Sequence, residues 1–347
     1  MRRCDGYHRA VVTTSPSDQE RYVALLSMGG TIASVAPTPG AGVMPTLEAG
    51  DLTRTLDAHG GVALSARTVR LMPSASFTFD DVLALVRAVE AALAEGATGV
   101  VVTQGTDNLE EVAFVIDLLI DDERPVVVSG AMRSADAPGA DGPANLRAAV
   151  AVAASPDARG LGTLVVMGDE IHAARYVRKT HSSRPSAFAS PETGPLGHLV
   201  EGEVRVATRV TALSLGARVD AIPPVALLRC ALGDDGRLVG TLLARGYRGL
   251  VVEGMGAGHV PATMVEPLEA LAREVPVVFA SRTGSGSTLR HSYGYPGSEI
   301  DLLGRGVVAA GALDGLKARL ALALALGSTD DRALAESRFA AVVAAVG

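Results

Sequence analysis

The sequence predicts an α/β protein of two domains, a larger N-terminal one around a mostly parallel sheet and a smaller C-terminal one. Three observations carry that expectation. Short apolar, β-branched runs alternate with segments of helical period, the rhythm of a parallel sheet covered on both faces. The 347 residues are enough for two separate cores. Residues 204–223 are weakly patterned and read as a linker between domains at 21–203 and 224–347. The first twenty residues are polar and mixed; they lack the apolar core of a secretory signal and read as a disordered extension.

The first strand is expected over residues 22–28, followed by Gly29-Gly30-Thr31-Ile32-Ala33. Paired glycines let a backbone turn sharply and let another group come close. They leave the Thr31 hydroxyl at the carboxyl end of a strand, where open α/β sheets place ligands, although a plain turn would look the same. Residues 34–45 are rich in Pro, Gly and small residues and read as a loop, or in functional terms a lid. Residues 46–56 read as a helix, 62–72 contain a strand, and Pro73-Ser74-Ala75-Ser76 is a loop. A helix follows over 79–95, with Thr78 as its N-cap.

At the centre, residues 98–103 form a buried strand that breaks at Gln104-Gly105-Thr106-Asp107. A helix follows, with Leu109, Val112, Ala113 and Ile116 at apolar positions, Asn108 as N-cap, and Glu110 and Glu111 at the positive end of the dipole. A hydroxyl beside a carboxylate on such a turn is either a cap or a catalytic pair, and this stretch alone favours the cap. A further strand over 125–129 opens into Gly130-Ala131-Met132-Arg133 and a loop with Asp136, Asp141 and Gly142. Pro143 starts the next helix. Strands are expected at 161–168, 225–230, 249–252 and 275–280, and helices at 264–273, 313–326 and 332–346.

Composition narrows the chemistry. A net charge of −7 provides no basic stripe for nucleic acid. No apolar run is long enough for a membrane span. Cys4 and Cys230 form neither a disulfide framework nor a zinc site, so a reduced, cytoplasmic setting is expected. The histidines show no zinc-type spacing and no G-x-S-x-G elbow accompanies them, so structural or surface roles are expected of each. Gly254-Met255-Gly256-Ala257-Gly258-His259 lacks the last glycine of a dinucleotide fingerprint and is rejected as a nucleotide site. The run 283–287 reads as a flexible loop.

The most informative count is that Lys occurs only twice, at Lys179 and Lys317, among 31 cationic side chains. In a chain that otherwise uses Arg, Lys179 is a candidate for something Arg cannot do, with a structural cation as the equal alternative. Lys can give up its proton when desolvated or near another cation, and Arg effectively cannot. Lys317, on an amphipathic C-terminal helix, reads as a residue of a solvated face.

Three motifs in order, Met28-Gly29-Gly30-Thr31-Ile32-Ala33, Gln104-Gly105-Thr106-Asp107 with Glu110-Glu111, and Ser129-Gly130-Ala131-Met132-Arg133 leading to Ala140-Asp141-Gly142-Pro143, are specific as a set. On them the chain resembles the bacterial L-asparaginase family, types I and II with their glutaminase-asparaginase relatives, from about residue 23 to the last helices. The resemblance implies hydrolysis of L-asparagine, or L-glutamine, to the acid and ammonia, with no cofactor and no metal. It implies that Thr31 is the nucleophile, that Thr106, Asp107 and Lys179 support it, and that Ser74, Thr106, Asp107 and Ala131 bind substrate. Backbone groups near Thr106 would stabilise the oxyanion. Glu299 matches an acidic residue supplied by a neighbouring subunit, which implies a dimer or tetramer with shared sites.

The chain departs from the family at several points. Residues 34–45 contain no Tyr where members often carry one, leaving Tyr176, Tyr293 and Tyr295 as candidate substitutes. Gln104 replaces the usual His, Ala75 stands where many members have Gln, and His259 lies near a position often held by Asn. Glutaminase or broader amidase activity remains an alternative within the fold. The missing lid Tyr also motivates a weakly catalytic amino-acid sensor.

Overall fold

The computed structural model describes residues 22–38, 41–54, 56 and 62–347. The expected N-terminal extension, with Cys4, lies outside the described residues, as does part of the expected lid and of the expected helix at 46–56. Eight strands make the main sheet: β1 (Tyr22–Gly29), β2 (Ala63–Met72), β3 (Gly99–Thr103), β4 (Val126–Ser129), β5 (Thr163–Met167), β6 (Glu170–Ala173), β7 (Gly197–Val200) and β8 (Glu203–Val206), in the order β8-β7-β6-β5-β4-β3-β1-β2. Neighbours from β2 to β5 run parallel, and β5 to β8 turn back antiparallel.

Alternating side chains of each strand feed two layers. Ala24, Leu26, Val100 and Val102 pack with the helices α2 (Phe79–Ala94) and α3 (Leu109–Leu119). Val23, Leu25, Val101 and Val127 face the other way, onto α4 (Gly142–Ala154) and the short α1 (Ala49–Thr53). Thr78 caps α2 as its sequence predicts, and with Asp81 it closes a reciprocal capping box. Among the described residues, the helix expected over 46–56 is the five residues of α1.

A second sheet of four parallel strands, β9 (Val225–Arg229), β10 (Gly249–Gly254), β11 (Val277–Ser281) and β12 (Val308–Ala309), is covered by α5 (Ala262–Glu274), α6 (Glu299–Gly304), α7 (Gly315–Gly327) and α8 (Arg332–Val346). Strands β6 to β8 escape the sequence pattern because each has four residues and carries polar side chains such as Glu170, His198 and Arg205. The stretch expected as a linker from 204 therefore begins inside the sheet. Its later part is packed too: Leu213, Leu215 and Val219 are buried, and Leu215 N–H donates to Leu118 O at 2.8 Å.

The expectation for Lys317 is overturned. Helix α7 is buried around most of its circumference, because it lies between α3, α8 and the second sheet. Lys317 is only 2 % exposed.

One buried ion pair ties the main domain together. Asp117 on α3 accepts a hydrogen bond from Thr163 N–H at 2.7 Å and lies 4.0 Å from the Arg175 guanidinium. Burial pushes its carboxyl up to about 7, against the pull of Arg175 and the Thr163 N–H. A raised acid binds more protons folded than unfolded, so its contribution to stability is full below the ordinary carboxylate range and is lost as pH rises towards 7. The Asp117→Asn variant should remove that dependence, up to about 1.4 kcal/mol per pH unit, between roughly pH 4 and 7. Thermal melts of both proteins across that interval measure it; parallel curves would refute it.

Candidate active site

The three motif loops converge at the carboxyl ends of β1, β3 and β4, and glycine makes the convergence possible. Gly29 and Gly30 have φ of 86° and 80°, a region that side chains disfavour. A Cβ on Gly30 would lie 2.0 Å from Gly105 N, so the loop after β1 rests directly on the loop after β3. A Cβ on Gly105 would lie 2.4 Å from Ser74 Oγ, and one on Gly130 would lie 2.6 Å from Gln104 O. Thr31 and Thr106 thus each follow a glycine of one backbone contact. Thr31 opens a single turn of 3-10 helix, Thr31–Ala33, and is half-buried.

Thr106 is nearly buried and Asp107, one residue on, is exposed. Lys179 joins them: its Nζ lies 2.9 Å from Thr106 Oγ1 and 2.8 Å from Asp107 Oδ1. Lys179 sits on a two-residue ladder in which Arg178–Lys179 pairs antiparallel with Phe188–Ala189, and its N–H donates to the Glu110 carboxylate on α3. The cap reading of Thr106 and Asp107 fails, because no side chain caps the start of α3. Asn108 precedes the helix but spends its amide on Ser74 O at 2.7 Å, fixing the Ser74 loop against this turn.

The third loop is organised by Asp141 and Asn145. Asp141 accepts the N–H groups of Met132 and Arg133, and Asn145 donates to Gly130 O at 3.0 Å. Ala131 has no accessible surface, while Ser74 is buried beside Gly105. Beside Asp107, a groove of about 630 Å³ runs past Asn108 and Glu111 to Phe77, Phe79 and Arg319. Burial raises the Glu111 carboxyl there, with Arg319 opposing. Among the described residues, no three His, Cys, Asp or Glu side chains converge as metal ligands would.

Glu299, by contrast, has its partners in the C-terminal domain. It is fully buried at the start of α6. Its Oε1 accepts from Ser292 N–H at 2.7 Å and Tyr293 N–H at 2.6 Å, and its Oε2 lies 3.1 Å from His259 Nε2. Burial pushes its carboxyl up, but those N–H groups and His259 outweigh that and hold it below the ordinary value. An ionised carboxylate only accepts, so His259 Nε2 carries a proton; the Tyr295 hydroxyl lies 2.8 Å from Nδ1. Sequence reasoning gave His259 only a generic role, since its partner lies 40 residues away. Two candidate substitutes for a lid Tyr are engaged elsewhere: Tyr295 here, and Tyr176 with Val346 O at 3.5 Å.

Comparison with known proteins shows the family. Residues 22–212 match the model of the asparaginase N-terminal domain, and residues 224–339 match the glutaminase/asparaginase C-terminal domain. The chain belongs to the asparaginase family. An L-asparaginase of Bacillus licheniformis is 36 % identical over 310 residues, which is 89 % of this chain and 96 % of that one. A glutaminase-asparaginase of Pseudomonas aeruginosa is 31 % identical, over 91 % of this chain and 89 % of its own. The crystal structure of a probable cytoplasmic L-asparaginase from Campylobacter jejuni superposes with a TM-score of 0.83 at 32 % identity, covering 92 % of this chain and 99 % of that one.

In this member of the asparaginase family, the two threonine loops depend on a glycine where the backbones meet. Gly30→Ala would place a Cβ against Gly105 N and strain a positive φ. It should cost about 1–3 kcal/mol from the backbone alone and separate the loops. Urea unfolding beside an activity assay measures both, and a variant with wild-type stability and activity would refute the close approach.

Proposed function

We propose that this protein hydrolyses L-asparagine to L-aspartate and ammonia through an acyl ester on Thr31. The observation that carries the reading is Lys179 Nζ held between Thr106 Oγ1 and Asp107 Oδ1 beside the Gly-Gly-Thr31 turn. A threonine hydroxyl is a weak nucleophile and needs a base or relay. In the proposed first step, Thr31 Oγ1 bonds to the side-chain amide carbon, and the carbonyl electrons move onto oxygen. Backbone N–H groups near Thr106 stabilise that charge. Collapse expels the amide nitrogen, which takes a proton and leaves as ammonia. Water then attacks the ester, Thr31 recovers its proton, and aspartate is released.

In this reading Thr106 and Lys179 relay the proton of the attacking hydroxyl or water to the leaving group, and Asp107 orients Lys179 and meets the substrate α-amino group. In the same reading Ser74 meets the substrate α-carboxylate and Ala131 helps bind the substrate, as the family resemblance implies. Glutamine is a second candidate substrate, suggested by similarity to the Pseudomonas aeruginosa glutaminase-asparaginase. A cytoplasmic setting also belongs to the proposal, supported by the likeness to the Campylobacter jejuni structure. No described helix is long and apolar enough to cross a membrane.

Lys179→Arg keeps the charge but not a compact amine able to lose its proton. It should lower the rate of asparagine hydrolysis by roughly 10² to 10⁴, the usual range for general acid–base help. Fast-quenched digestion of the wild-type enzyme should trap an aspartyl ester on Thr31. An ester on Thr106 instead, or a Lys179→Arg rate near wild type, would reverse the assignment.

Glu299 enters the reading through assembly, as the carboxylate that a second copy brings to the site, with His259 and Tyr295 behind it. Activity should then fall together with the oligomer on dilution. Sedimentation and turnover measured over one concentration range test this, and a fully active monomer would defeat it.

A further inference from the structure

Lys317, the second of the two lysines, is placed where a cation is costly. Its side chain is 2 % exposed, its Nζ donates to Val177 O at 2.6 Å, and Asp314 Oδ2 lies 3.6 Å away. Burying a charge costs several kcal/mol even after relaxation, and well-packed apolar replacements of buried ion pairs are often neutral or stabilising. Stability alone therefore does not account for Lys317. Its contact does: Val177 is two residues before Lys179, on the segment that delivers the ammonium to Thr106.

The same segment is held at two further points. Glu110, on the first turn of α3, accepts the Lys179 N–H. Asp314, the N-cap of α7, receives the Lys317 N–H at 2.9 Å and lies 3.7 Å from Arg178 Nε, while Arg178 also donates to Gly284 O. Every residue from Val177 to Lys179 is thus tied to a charged group outside its own ladder. Burial raises the Glu110 carboxyl while Lys317 pulls it back, so the two sense each other.

We infer that Lys317 and Glu110 are positioning residues for Lys179, clamping the Val177–Lys179 backbone so that Nζ stays on Thr106 and Asp107. The clamp couples the C-terminal domain to a site built by the N-terminal one, since Lys317 rides on α7 and Glu110 on α3. This inference rests on the proposal that the site hydrolyses asparagine. It adds that the position of α7 sets the alignment of the proton relay.

The test uses the full-length protein as wild type, Lys317→Met, Glu110→Ala and Glu110→Gln. For each, kcat and KM for L-asparagine, the melting temperature and hydrogen exchange at the Lys179 amide are measured. Misplacing a reacting group by an ångström can cost about 100-fold, so Lys317→Met and Glu110→Ala should lower kcat about 10- to 100-fold, with KM within about twofold. Glu110→Gln keeps an oxygen to accept the Lys179 N–H, so it should recover kcat to within about threefold and restore slow exchange lost in Glu110→Ala. A folded Lys317→Met with wild-type kcat, or Glu110→Ala and Glu110→Gln behaving alike, would overturn the clamp. If Lys317→Met does not fold, the two Glu110 variants decide. A wild-type protein that turns over no asparagine would defeat the functional proposal instead, and exchange at the Lys179 amide would still report on the clamp.

Discussion

The contact of Gly30 with Gly105 is the constraint on which the site depends. Adjacent parallel strands β1 and β3 end side by side, but their loops can touch only where neither carries a side chain. The contact brings two threonines, one on each loop, to the same end of the sheet. Ser74 closes over Gly105 from β2's side, and Gly130 lets the third loop approach Gln104 O. Each glycine serves close approach more than local flexibility, and three loops distant in sequence become one surface.

On that surface the charged groups do work that packing alone would not require. Lys179 is partly shielded, with 15 % of its side chain exposed against 66 % for Asp107. Its bond to Thr106 is therefore sheltered while the carboxylate end remains open to a ligand. An exposed ion pair is worth little to stability, so the geometry is better understood as orientation than as a staple. Behind it, buried Lys317 and half-buried Glu110 and Asp314 form a layer of charge at the junction of the domains. Glu299 and His259 form a separate pair within the C-terminal domain, with Glu299 also accepting the Ser292 and Tyr293 N–H groups from its own side.

Much of the fold was legible because period and length carry it. The all-valine centre of β3, the buried β4 and β5, and the N-cap at Thr78 are local signals with one structural solution. The strands β6 to β8 were not legible, since four-residue antiparallel strands with polar alternates leave no periodic trace. For the site, the rarity of lysine pointed to Lys179 before any resemblance did. The same count held the signal for Lys317, but a solvated helix face was the simpler reading until α7 proved to be enclosed.

The sequence by itself determined the strand–helix alternation, the family and the residue types of the site, because these depend on neighbours within a few positions. The tertiary structure decided which of those residues meet. Thr106 and Asp107 could equally have capped α3, and only the arrival of Lys179 from 72 residues downstream of Asp107 gives their side chains another partner. Lys317 could equally have faced water, and only the packing of α7 against α3 encloses it and turns it onto Val177 O. Hydroxyls, carboxylates and amines have several satisfactory partners each, so their roles are set by what the fold brings within hydrogen-bonding reach.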